Sequence, residues 1–136
     1  MNTIPQILQA IRTEMRRGRG SDLSVPQFRT LRFIQSVPDS TLSRLADHLG
    51  LTLPSVSKLV DGLVKHELVL RQDAANDRRC ISLALTPAGE AIVNTARVNT
   101  LANLTETLAS LSAEELGIVC QAMELLHPLF VPRGKQ

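Results

Sequence analysis

The 136-residue sequence predicts a mainly α fold: six helices, with one β-hairpin between the fourth and the fifth. Three observations carry that expectation. Apolar residues recur at three- and four-residue steps through most of the chain, the period of a helix with one buried face. The period shortens towards alternation only in "LVLRQ" (68–72) and "CISLAL" (80–85). Helix-start signals, Ser or Thr followed by Pro, Gln or Glu at the proper offset, precede several of the apolar runs.

The elements follow in order. Ile4, Ile7, Leu8, Ile11 and Met15 place a first amphipathic helix over 5–17, ended by the Gly- and charge-rich "RRGRGSD". Ser24 and Gln27 have capping-box spacing, and Pro26 suits only a first turn. Phe28, Leu31, Phe33 and Ile34 then form a second helix, which Val37-Pro38 stops. Thr41 caps a short third helix with Leu42, Leu45, Ala46 and Leu49 inward, and Gly50 ends it. Thr52 caps a fourth, with Pro54 in its first turn and Val56, Leu59, Val60 and Leu63 as the apolar stripe.

The hairpin strands, 68–72 and 80–85, leave the polar segment 73–79 as a longish loop carrying Arg78 and Arg79. Thr86 and Pro87 open a long fifth helix that no breaker interrupts before about residue 109. Leu101, Leu104, Leu108 and Leu111 have coiled-coil-like spacing. Ser112 and Glu115 form a second capping box, with Leu111 and Leu116 as its hydrophobic staple. Leu116, Val119, Met123, Leu126 and Phe130 continue the sixth helix, and the last six residues should fray.

Composition narrows the function classes. Three Phe and no Trp or Tyr disfavour stacking on single-stranded nucleic acid. Residues 1–85 carry twelve Lys or Arg against eight Asp or Glu, whereas residues 86–136 carry three against five. The basic excess in the first part faces a polyanion more readily than the second. Cys80 and Cys120 are too few for a disulfide framework or a zinc site. His48, His66 and His127 have no metal-ligand spacing, and no phosphate loop or nucleophile elbow appears, so no enzymatic activity, metal or cofactor is expected. No apolar run approaches the roughly 20 residues of a membrane span, and the N-terminus lacks a signal peptide's apolar centre; a cytoplasmic location without membrane partners is expected.

The functional signal lies in "TLSRLADHLGLTLPSVSKLVDGLVKH" (41–66). Two short helices joined at Gly50, with the small Ala46 where they cross, have helix-turn-helix spacing. Opposite the apolar stripe of the second helix lie Pro54, Ser57, Lys58, Asp61 and Lys65, with Ser55 on the flank. Small hydroxyls followed by lysine suit a major groove, and a helix N-terminus favours phosphate. A hairpin directly afterwards is the winged-helix order. Its arginines would then fall near the adjacent minor groove, where cations are favoured. The rival for such a module is protein contact or non-specific DNA architecture.

Residues 24–90 resemble the MarR family through "LSVPQFRTLRFI", "TLSRLADHLGLTLPSVSKLVDGLVKHELVLR" and above all "DAANDRRCISLALTPAGE". The flanking helices also match in order and length. The resemblance implies a homodimeric winged helix-turn-helix, with residues 1–23 and 100–136 forming the dimerisation region and 24–99 the DNA-binding domain. It implies repression at palindromic double-stranded operators, often relieved by phenolic or other anionic small molecules, or by oxidation. Carried over by position, residues 53–66 become the recognition helix and Ser55, Ser57 and Lys58 its groove contacts. Pro54 and Lys65 complete that interface. Arg79 becomes the minor-groove arginine, with Arg78 able to exchange roles, and Asp77 the acid that orients it.

Two departures stand out. Gly62 occupies a position where the family often has a long basic side chain, and glycine there costs about 1 kcal/mol relative to alanine. No cysteine lies in the first helix, where peroxide-sensing members carry one, although Arg78 and Arg79 would favour a thiolate at Cys80. Family effectors bind between the dimerisation helices and the DNA-binding lobe. The shortage of aromatics leaves an aliphatic pocket there, or none.

Overall fold

The computed structural model describes residues 2–19, 22–74 and 77–130, with the side chains of Arg19 and of residues 74–80 outside that description. The elements appear in the predicted order. They are α1 (Thr3–Arg19), α2 (Val25–Ser36), α3 (Leu42–Leu49), α4 (Leu53–Lys65), β1 (Val69–Ala74), β2 (Asp77–Leu85), α5 (Pro87–Leu108) and α6 (Ala113–Phe130). They group into two compact units, residues 1–100 and 101–136.

The first unit is organised around one apolar core. Leu31, Phe33 and Ile34 of α2 meet Leu45 and Ala46 of α3. Val56, Val60 and Leu63 of α4 join them, with Leu68, Val69 and Leu83 from the hairpin and Val93 from α5. The helix ends are built as the sequence specifies. Ser24 Oγ accepts from the Gln27 amide while the Gln27 side chain accepts from the Ser24 amide. Thr41 accepts from the Arg44 amide, and Gly50 closes α3 at φ 66°, a left-handed turn that glycine enters without a Cβ penalty.

Thr52 departs from expectation. Its carbonyl starts α4, accepting from the Val56 amide at 3.0 Å, but its side chain caps no backbone group. The hydroxyl instead pairs with Ser55 Oγ at 2.8 Å. Two neighbouring hydroxyls that can each donate or accept satisfy one another, and this competes with the capping bond.

The hairpin also differs from expectation. Its strands run to Ala74 and from Asp77, so the longish 73–79 loop is replaced by two longer strands, and residues 75–76 lie outside the described set. Polar residues extend the ladder because backbone pairing, not side-chain alternation, holds the distal half of an exposed hairpin. Val69↔Leu85 through Asp73↔Ile81 pair in regular register, then Ala74 pairs with Asp77. The register therefore slips between Asp73 and Ala74, and Arg78, Arg79 and Cys80 occupy the excess on β2. A further bridge joins Ser40 to Leu83, with the Leu83 amide donating to the Ser40 carbonyl at 2.7 Å.

The start of α5 is locked to the base of β1. The Thr86 hydroxyl donates to the Glu67 carbonyl at 2.6 Å and accepts from the Gly89 amide at 3.0 Å. The Thr86 amide donates to the Leu68 carbonyl. Gly89 is buried there because its backbone lies directly against that same carbonyl.

The second unit contains the end of α5 and all of α6. Ser112 and Glu115 complete the expected capping box. The Ser112 amide, and then its hydroxyl, hold the Glu115 carboxyl below its usual range. No residue of α6 is buried, and Ile118, Met123, Leu125, Leu129 and Phe130 are all strongly exposed. Pro128 lies inside the last turn of this helix, where its missing N–H forfeits one backbone bond.

Candidate nucleic-acid interface

Helix α4 presents one polar edge. At 100° per residue, Pro54, Ser55, Lys58, Asp61, Gly62 and Lys65 share a face, opposite the buried Val56, Val60 and Leu63. Pro54, Ser55, Lys58, Asp61 and Lys65 are exposed. Ser57 is half-buried, so it sits at the border of the edge and Ser55 within it, the reverse of the sequence assignment. Both serines flank Val56, but Ser57 stands three residues before the fully buried Val60, whereas Ser55 lies in the open first turn. Ser55 carries its hydroxyl already paired to Thr52, which fixes its direction at the amino end of the helix.

Among the described residues Lys58 and Lys65 form no ion pair, although Asp61 stands between them on the same face. Asp61 is instead held by Arg71 of β1, whose Nη2 donates to Oδ1 at 2.5 Å. Sequence reasoning missed Arg71. Its only signal was an arginine early in the first strand, and the partner becomes visible once the angle between α4 and β1 is known.

Gly62 lies in open space: a Cβ built there meets nothing within 4 Å. Gly62→Ala is therefore expected to raise stability by about 1 kcal/mol through helix propensity alone. Urea unfolding of the variant checks this, and a loss of stability would mean that the backbone there is not an ordinary helix.

Asp77, Arg78 and Arg79 have their backbone in β2, at the register slip, and their side chains lie outside the described residues, as does that of Cys80. Cys120 is exposed on α6. Among the described residues no cluster of His, Cys, Asp or Glu could hold a metal ion, and no helix is long and apolar enough to cross a membrane.

A groove of about 480 Å³ lies between α1 and α2. Met15, Val25 and Phe28 line it together with Arg12, Arg16, Arg29 and Arg32. An aliphatic pocket, or none, was expected here. The observed lining keeps an apolar floor but adds four arginines, two from each helix.

Comparison with known proteins fits this architecture. Residues 21–79 match the model of the MarR family. An uncharacterised HTH-type transcriptional regulator of Bacillus subtilis, YsmB, is 29% identical over 108 residues, covering 79% of this chain and 74% of its own. The transcriptional regulator Tm0710 of Thermotoga maritima superposes with a TM-score of 0.81 at 20% identity, covering 94% of this chain and 91% of that one. Streptococcus pneumoniae FabT, solved in complex with DNA, gives 0.68 at 24% identity over 93% and 91% of the two chains. The matched segment takes in α2, α3, α4, β1 and the first residues of β2, so residues 21–79 resemble a MarR-family domain within a winged helix-turn-helix fold, and the comparisons support a DNA-binding transcriptional regulator.

Proposed function

We propose that the protein acts as a homodimeric repressor on a palindromic double-stranded operator, with α4 in the major groove and the hairpin in the adjacent minor groove. One observation carries the reading. The exposed edge of α4 offers Pro54, the oriented Ser55 hydroxyl and two ammonium groups, Lys58 and Lys65, that have no ion-pair partner among the described residues, beside the hairpin that bears Arg78 and Arg79. Ser57 contributes from the border of that edge, and Asp77 aligns an arginine of the hairpin. FabT in complex with DNA supports DNA as the partner class.

The dimer is supported by apolar surface. Ile4, Ile7 and Leu8 of α1 are exposed, as are Leu125, Leu129 and Phe130 of α6. A second copy of the chain would cover such faces, making 1–23 and 100–136 the dimerisation region around a DNA-binding domain at 24–99. The arginine-lined groove between α1 and α2 supports a small anionic effector that releases the operator.

Selection of bound duplexes from a random library tests the proposal. It should enrich an inverted repeat with half-sites about one helical turn apart, roughly 34–36 Å, bound on the order of 10³-fold or more above random duplex. Failure to enrich any sequence would overturn it. Lys58→Ala should weaken operator binding and reduce the slope of log K against log salt by about 0.9, the share of one phosphate. An unchanged slope would show that Lys58 meets no phosphate.

A further inference from the structure

On a helix surface Asp61 has two natural partners. Lys65 follows at four residues, the favourable acid-before-base order, and Lys58 precedes at three. Neither takes it. The carboxylate is held instead by Arg71 from outside the helix, while neither ammonium group has an ion-pair partner among the described residues. The pair is exposed, with 37% of the Arg71 side chain and 57% of the Asp61 side chain accessible, so it adds little to folding stability. Its consequence lies in what it leaves free. A carboxylate in the middle of a cationic edge would otherwise capture one lysine, and each captured lysine is one phosphate contact fewer. Guanidinium is the better competitor, since its planar fork matches a carboxylate and ammonium does not.

We infer that Arg71 is a positioning residue for the interface: by occupying the Asp61 carboxylate it keeps Lys58 and Lys65 available to DNA phosphates. The inference rests on the reading that the exposed edge of α4 meets DNA. It makes Asp61 a residue that needs a partner, not one that contributes binding. It also assigns Arg71, at the base of the hairpin, an influence on affinity without a DNA contact of its own.

A double-mutant cycle on the selected operator tests it, read as dissociation constant and salt slope, with the full-length dimer throughout. Arg71→Ala should weaken binding about eightfold near 0.1 M salt and lower the slope by about 0.9, as one lysine is captured. Asp61→Asn alone should bind at least as tightly as the wild type. Adding Asp61→Asn to Arg71→Ala should restore both affinity and slope.

Two results would overturn the inference. If the double variant stays as weak as Arg71→Ala, then Arg71 itself contacts a phosphate. If Asp61→Asn alone weakens binding as much as Arg71→Ala does, then the pair merely braces α4 against β1. Lys65→Ala, measured alongside, separates this from the parent reading. Loss of affinity in Lys65→Ala with no effect of Arg71→Ala removes only the inference. Wild-type affinity in both Lys58→Ala and Lys65→Ala removes the parent reading and the inference with it.

Discussion

Gly89→Ala should destabilise the first unit by about 3 kcal/mol, a large loss for a single added methyl group. Gly89 is the third residue of α5, counted from Pro87. A Cβ there would run into the Leu68 carbonyl oxygen and crowd its carbon. Neither side of that collision is a flexible side chain. On one side is the first turn of α5, pinned by the Thr86 hydroxyl to the Gly89 amide and the Glu67 carbonyl. On the other is the strand base, whose Leu68 carbonyl already accepts from the Thr86 amide. Relieving the clash means breaking these bonds or displacing α5 from Leu68 and Val69, both of which are core residues. Urea unfolding monitored by circular dichroism reads the effect directly. A loss below about 1 kcal/mol would mean that α5 and β1 can separate without cost. Gly62→Ala is the matched control, the same substitution in a helix with open space around it.

Arg79→Ala should reduce operator affinity on the order of tenfold to a hundredfold while leaving thermal unfolding unchanged. Arg78 and Arg79 lie where the β2 register slips against Ala74, so the hairpin is irregular at the very residues that carry its charge. Such irregularities increase local twist and re-aim side chains, which an uninterrupted ladder would hold in strict alternation. A guanidinium delivered into a narrow minor groove gains from the enhanced negative potential there. Arg78→Ala, measured in parallel, should cost less if Arg79 is the arginine that enters the groove; the reverse order would exchange their roles. If both variants bind like the wild type, the hairpin takes no part in recognition.

The local features of this fold could be read from sequence because they depend on neighbours in the chain. Ser24 with Gln27, Thr41, Gly50, Thr86 with Pro87, and Ser112 with Glu115 each cap or close a helix through partners within a few residues. Where two local options compete, the sequence misleads. Thr52 carries a capping side chain, yet its hydroxyl pairs with Ser55. Alternation marks only the half-buried part of the hairpin, so the strands outrun the pattern by two residues at Ala74 and by three at Asp77.

Non-local features left no trace. The Ser40–Leu83 bridge is one pairing across more than forty residues. The Arg71–Asp61 pair depends on the angle between a helix and a strand, and the cationic groove depends on how α1 lies against α2. Of the interface, the edge of α4 was legible from its period. The relative burial of Ser55 and Ser57 was not, because both stand close to the border between buried and exposed faces.

Methylation interference on the selected operator tests most directly whether one subunit reads two neighbouring grooves. Methyl groups at guanine N7 block the major groove and those at adenine N3 block the minor groove, so a single chemistry reports on both. The expected pattern is N7 interference within each half-site and N3 interference beside it, with Arg79→Ala erasing only the N3 signals and Lys58→Ala weakening the contacts inside the half-site. Interference confined to one groove, or N7 signals that vanish with Arg79→Ala while the N3 signals persist, would contradict the placement of α4 and the hairpin.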